Sequence, residues 1–423
     1  MKKRKADKIL QLLPQGHRDK SEEISTDQLD SVELATLKKI FKDFTSDRSK
    51  TGFWAGSENR VCGGLTDLLS KKENPLRKML PPAHMVFLTL VHILGFEFYG
   101  PGEKVLWIIP IFYKGIPIQL SFRKFGFCVE TADPESEKTR NLVREVLSKL
   151  LQGIAITERL LEPVIESQIR SGNVTIQNQF YNLDRMYRFF REKAELSYST
   201  PPPKPKVNRD KDGRVVSKSF DPVRPEREAL YYSYAMLDLY FSRLEHMLVL
   251  LLAFIDYNPK NDDLVLFIGT NWSDKFKRVV DLGTNKDRKM LYDELKHIKE
   301  QFLNTVAHGW FEKHGASLHF HVPLLGAVPV RMSKSATAVR YSLYHLDVVS
   351  FQKMSGLLDK VDALLESSPG IKYGLKFLRS GLDISFAEES RKLYRDAMSS
   401  ESSFDALIEH LTYVNDTYAN MDF

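Results

Sequence analysis

Asn304 and His308 stand four residues apart in Leu303-Asn304-Thr305-Val306-Ala307-His308-Gly309-Trp310, where a long amphipathic pattern stops. Residues i and i+4 share one helix face, so the amide and the imidazole would project together. An imidazole titrates near neutral pH, the property that a proton-transfer group needs. Gly309 reads as a C-terminal cap that leaves the ring near the surface. His297 and Gln301 extend the pair upstream in steps of four, three and four, a polar stripe set apart from the apolar one that could line a groove.

Other candidates have simpler chemistry. Arg185, Arg188 and Arg191, interleaved with Tyr181, Tyr187 and Phe190, could track a phosphate backbone while rings stack on bases. The same pattern also suits a solvated amphipathic helix. His319 and His321 would share a strand face near His314, but no neighbouring Cys or carboxylate set completes a recognised metal pattern, so neither metal nor cofactor is expected. Gly63-Gly64, within Arg60 to Leu65, lacks the Lys-Ser/Thr ending of a phosphate loop and reads as a turn. Lys2 to Lys5 read as a tail.

The motif needs a helix beneath it. Residues 286 to 310 supply an inner stripe of Leu291, Leu295, Ile298, Phe302 and Val306. Upstream, residues 226 to 257 are apolar on so many sides that a central bundle helix is predicted. Its Asp238, Ser242, Arg243, Glu245 and His246 would need partners or water, because burying unpaired charge is costly. A short helix over 272 to 281, β-like runs at 318 to 322 and 328 to 332 around Gly326, and a helix over 346 to 365 complete this region.

The repeated prolines of residues 201 to 205 favour a stiff spacer, so the chain divides there. We read 1–198 as a mixed α/β domain, 199–223 as a Pro-rich linker, 224–367 as a helical bundle and 368–423 as a helical extension. In the first part, helical spacing covers 27 to 44, with Thr26 or Asp27 as N-cap, and then 137 to 170 and 177 to 195. Between them Val105 to Tyr113, Ile116 to Phe122 and Phe127 to Glu130 predict an antiparallel meander. Pro110 and Pro117 cannot donate to a ladder, which points to edges or bulges. The fold class is α+β, predominantly helical.

With 423 residues and 43% hydrophobic content, the chain can build two or three cores. A net charge of +6 is compatible with nucleic acid without requiring it. Cys62 and Cys128 form no ligand spacing and fit free thiols in a reducing compartment. The apolar run from Met247 to Ile255 is far short of a bilayer span, and the residues after Lys5 are polar where a signal peptide has its apolar core. A cytoplasmic protein without a membrane anchor is expected.

The segment around Asn304 and His308 resembles the motif of HEPN domains, helical bundles found in many microbial toxin, phage-defence and RNA-processing proteins. The family pattern is Arg-Asn-x-x-x-His, often Arg-Asn-x-x-Ala-His-Gly; Asn304, Ala307, His308 and Gly309 match, and Leu303 stands at the arginine position. The element order over residues 224 to 367, about a third of the chain, also resembles a HEPN unit. The resemblance implies a homodimer whose motif helices meet in a cleft, and metal-independent cleavage of RNA. It gives His308 the acid/base role and Asn304 an orienting one. Developing phosphate charge needs a cation that Leu303 cannot supply, and Arg243, Lys299 or Lys313 could. Loss of the arginine also fits a noncatalytic module that dimerises or binds a partner.

Overall fold

The computed structural model describes residues 31–45, 66–67, 75–131, 133, 135–219, 221, 223–283, 285–303, 319–323, 326–329, 331–332, 339–340 and 348–422. The fold is α+β and mostly helical, in two compact units: residues 1–169 with 409–423, and residues 170–408.

The first unit contains the meander. Strands β3 (Val105–Tyr113), β4 (Ile116–Arg123) and β5 (Gly126–Thr131) pair antiparallel, and β1 (Phe44–Thr45) and β2 (Thr66–Asp67) extend them in the order β1-β3-β4-β5-β2. Each proline falls where only one side of its strand is paired. Pro110 faces Gln119 of β4, while β1 reaches only Phe112 and Tyr113 on the other edge; Pro117 faces Phe112, and β5 reaches only to Ile118. A missing N–H is tolerated at such places.

Alternation along the strands sends Trp107, Ile109, Ile111, Ile118, Leu120 and Val129 into one core with the inner stripe of α3 (Glu137–Arg170), including Val143, Val146, Leu147 and Leu150. Helix α1 (Ser31–Ile40) adds Leu37, followed by Phe41; the caps proposed at Thr26 and Asp27 lie outside the described residues. A short helix α2 (Ala83–Phe87), continuing as a π-turn over Leu88–Ile93, adds Val86 and Leu90. The opposite sheet face carries a buried carboxylate. Glu130 accepts hydrogen bonds from Arg123 Nη2 at 3.0 and 3.1 Å, from Ser121 Oγ at 3.4 Å and from Gln119 Nε2, so its charge is compensated. Cys128 carries a half-buried thiol that donates to the Gly126 carbonyl at 3.7 Å, whereas Cys62, Gly63, Gly64 and Lys2 to Lys5 lie outside the described residues.

The second unit is helical. A two-residue strand β6 (Thr175–Ile176) leads to α4 (Phe180–Ser199), and after the proline run a hairpin of β7 (Lys206–Arg209) and β8 (Val215–Ser219) leads to α5 (Arg224–Leu251). The 199–223 stretch therefore holds a hairpin as well as the prolines. Helices α4 and α5 run antiparallel: Gln179, Asp184, Tyr187 and Phe190 meet His246, Arg243, Tyr240 and Tyr232 in turn. Helix α5 is buried over most of its circumference from Ala229 to Leu251, the central helix that its composition predicts.

Three capped helices follow. Asp263 accepts from Leu266 N–H at the start of α6 (Leu264–Gly269), Asn271 from Asp274 N–H at α7 (Trp272–Val279), and Asn285 from Asp287 and Arg288 N–H at α8 (Lys286–Ile298). Within the described part of the helix expected over 286 to 310, residues 286 to 298 are α-helical and Lys299–Leu303 widen into a π-turn; residues 304 to 310 lie outside the described residues. There Lys299 is committed to groups on α5 and α7, described below, and the wider turn alters the spacing assumed for His297 and Gln301.

A hairpin of β9 (His319–Val322) and β10 (Gly326–Pro329) follows, and then a short pair, β11 (Arg331–Met332) and β12 (Val339–Arg340). Gly326 has φ +85°, which explains its place at the turn. Helix α9 (Val348–Ser367) closes the region. The C-terminal stretch forms α10 (Pro369–Arg379), α11 (Glu388–Ala397) and α12 (Glu401–Asn420), with β13 (Ile384–Ser385) pairing to β6. Among the described residues no helix is long and apolar enough to cross a membrane.

Helix α3 approaches α1 closely at Gly153, where an added Cβ would lie 2.6 Å from Phe41 Cζ. Replacing Gly153 by Leu is expected to reduce stability by about 1–3 kcal/mol through overpacking, read as a lower denaturation midpoint. Because the two sites touch, the Gly153→Leu/Phe41→Ala double variant is expected to lose less than the two single losses together.

Candidate functional site

The helix that leads into the motif is held by an aromatic and ionic cluster. Trp272 and Phe276 of α7 pack on Tyr292 of α8 with ring centroids 5.8 and 5.7 Å apart, and Trp272 meets Phe241 of α5 edge-on at 5.2 Å. The Ser273 and Tyr292 hydroxyls are hydrogen-bonded to one another. Lys299, in the π-turn, lies over the Phe241 ring at 4.7 Å and 5.7 Å from that of Trp272, with Nζ 3.3 Å from Glu245 Oε1. Buried Lys275 reaches the other Glu245 oxygen at 3.1 Å. One carboxylate thus serves two ammonium groups, leaving positive charge beside the turn that precedes Asn304.

Arg243 lies elsewhere on α5 and is differently engaged. Only 4% exposed, it donates from Nη1 to Asp184 Oδ1 at 2.6 Å and from Nη2 to both Asp362 oxygens at 2.7 and 2.6 Å. Its guanidinium stacks on Tyr187 and Tyr240, 4.7 and 4.9 Å from the ring centroids, and Tyr240 donates to Asp362 at 3.1 Å. Burial alone would raise the Asp184 pKa, but hydrogen bonds from Arg188 and Arg243 outweigh it and hold the carboxyl below its usual range. At Asp362 burial wins and pushes the pKa up, against the bonds from Arg243 and Tyr240. A cleft of about 300 Å³ opens over this cluster, with Arg188, Glu366 and Arg379 on its walls.

The arginine stripe of α4 separates into three environments. Arg185 is exposed and packs over Tyr181 at 5.6 Å. Arg188 is exposed but donates to Asp184 at 2.6 Å. Arg191 turns inward to Asp359 at 2.8 Å and to the Tyr187 hydroxyl at 3.1 Å. Tyr187 is buried, so its ring is not open to a base. On α5, Asp238 and Ser242 face solvent, whereas Glu245 and His246 find protein partners. Asn304, Ala307, His308, Gly309, Lys313 and His314 lie outside the described residues. Among the described residues no group of three or more His, Cys, Asp or Glu could hold a metal ion.

Sequence reasoning missed the carboxylates Asp184, Asp359 and Asp362, and also Lys275. The Asp184/Arg188 and Arg191/Glu195 spacings of four are visible signals for local pairs. Nothing local signals Asp362, more than a hundred residues from Arg243.

Three outcomes follow for stability, from Arg243, His246 and Asp184. Arg243→Met would leave two carboxylates facing each other without their cation, and is expected to cost about 3–5 kcal/mol in urea denaturation. His246 accepts the Gln179 backbone N–H on Nε2 at 2.9 Å, and burial lowers its pKa. The folded state therefore prefers the neutral ring, and stability is expected to fall as pH drops below about 6.5, where the unfolded imidazole gains its proton. His246→Gln, whose side-chain oxygen can accept the same bond, is expected to flatten that part of the profile. The Asp184 contribution is lost in a separate window, as pH falls below the ordinary aspartate value of about 3.9.

No family model, no curated protein and no solved structure matches the chain.

Proposed function

We propose that residues 224–367 form a HEPN-like module that acts on RNA, working as a cytoplasmic homodimer in a microbial toxin or phage-defence setting. The observation that carries this reading is the element order: central α5, short α6 and α7, motif-leading α8, hairpin β9/β10, the short pair β11/β12 and closing α9, with the Asn304/His308 spacing directly after the described end of the π-turn that extends α8; α6 and β11/β12 are additions to the expected order. The first unit, with its sheet, would sense a trigger or restrain activity.

In this reading His308 accepts the proton of an RNA 2′-hydroxyl. The 2′-oxygen bonds to phosphorus as the bond to the 5′-oxygen breaks, leaving a 2′,3′-cyclic phosphate, and the departing oxygen takes up a proton. Asn304 orients the reacting groups. The cation falls to Lys299 rather than Arg243, because Arg243 already faces two carboxylates while Lys299 shares Glu245 with Lys275. The pairing of Arg243, together with Leu303 at the arginine position, also favours a second reading: a noncatalytic module that dimerises and recognises RNA or a protein partner.

Incubating purified protein with total RNA separates the two. Cleavage reduced by about 10²–10⁴-fold in His308→Ala, and also reduced in Asn304→Ala and Lys299→Ala, is the expected result. An intact dimer that leaves RNA uncut, and that is equally harmless on overexpression with and without His308→Ala, would overturn the catalytic reading in favour of the second.

A further inference from the structure

The hairpin β7/β8 stands exposed along its whole length. Every residue from Pro201 to Ser219 is exposed, and the two strands pair only with each other, so both outer edges are open. A two-stranded hairpin with nothing packed on either face is marginal in water. Its geometry is nevertheless locally specified. Asp210 Oδ1 accepts the backbone N–H groups of Asp212 and Arg214 at 3.0 and 2.8 Å, Gly213 takes φ +79°, and Arg209 Nη1 donates to the Gly213 carbonyl at 2.8 Å.

Charge identifies what the ribbon suits. Residues 204 to 219 hold six basic side chains, Lys204, Lys206, Arg209, Lys211, Arg214 and Lys218, against Asp210 and Asp212. Among the described residues none of the six is in an ion pair with a carboxylate. Exposed, unneutralised cations on an isolated ribbon match a polyanion. A second copy of the same ribbon would bring like charges together. No aromatic residue lies between Pro201 and Ser219, so base stacking is absent and the contacts available are to phosphates.

We propose that the β7/β8 hairpin is a phosphate-backbone arm that docks RNA onto the second unit independently of base sequence. This rests on the RNA-directed reading above and adds the element that captures the substrate. Lysines on the strands engage successive phosphates and displace counterions, while the valines Val207, Val215 and Val216 cover the sugar edge.

The test measures binding, not cleavage, on the full chain carrying His308→Ala, with a fluorescent uridine oligonucleotide titrated over a series of salt concentrations. Adding Lys204→Gln, Lys206→Gln and Lys218→Gln is expected to weaken binding about tenfold or more and to reduce the slope of log affinity against log salt by about two, at about 0.7 per phosphate contact on single strands. The urea midpoint should not change, because these side chains are exposed. A cytidine oligonucleotide should bind as tightly as the uridine one. RNA binding by the His308→Ala chain that the three glutamines leave unaltered would overturn the arm and spare the RNA-directed reading. Failure of both the wild-type and the His308→Ala chains to bind RNA would overturn both. Arm-dependent binding in a chain that never cuts RNA would keep the arm and discard catalysis. Equal affinity for polyglutamate of matched charge would overturn a nucleic-acid role.

Discussion

The second unit depends on a buried guanidinium. Arg243 projects from the central helix into a space where water is scarce, and it is tolerated there because Asp184 of α4 and Asp362 of α9 face it from two sides, with Tyr187 and Tyr240 on its planes. In such surroundings a missing partner costs far more than an exposed ion pair contributes. The cluster therefore acts as a register key. Sliding α4 or α9 along α5 by one turn would separate the charges, and the hydrophobic stripes alone do not forbid such a slip.

Helix α5 divides its work by azimuth. Arg243 and Glu245 are two residues apart, about 200° around the helix, so they leave it on nearly opposite sides. One side ties α5 to α4 and α9. The other, through Glu245, gathers Lys275 of α7 and Lys299 of the π-turn, and stacks Lys299 on Phe241 and Trp272. Stability and the proposed chemistry thus share one helix without sharing residues. That separation is the reason for proposing Lys299, and not the structural Arg243, as the cation of the suggested chemistry.

Much of this architecture was legible in the residues. The meander follows from three β-rich runs with two-residue turns; Pro110 and Pro117 pointed to edge strands or bulges, whereas their strands lie inside the sheet and the prolines fall where a neighbouring strand stops short. The central helix, the short helix expected over 272 to 281 and found at Trp272–Val279, and the helical character of the C-terminal extension follow from apolar spacing. Less legible was the change from α-helix to π-turn after Ile298. Residues 299 to 303 keep a helical pattern, and only the anchoring of Lys299 to another helix accompanies the wider turn. The arginines of α4 were visible as a stripe, but which face solvent and which turn inward was not, since that depends on where α5 and α9 lie.

By itself, the sequence determined the α+β composition, the meander and the main helices, because each of these is settled by interactions between residues close together in the chain; the hairpin turn at Asp210 and Gly213 is equally local in its hydrogen bonds, yet lay within a stretch read only as a linker. Tertiary structure alone decided which charges are available. Arg243, Lys275 and Lys299 are all simply cations in the sequence, and become a buried strut, a buried partner and a ring-stacked lysine five residues before Asn304 only through carboxylates and rings brought from distant segments. Long-range electrostatics depends on distance and burial, and neither quantity is written in local spacing.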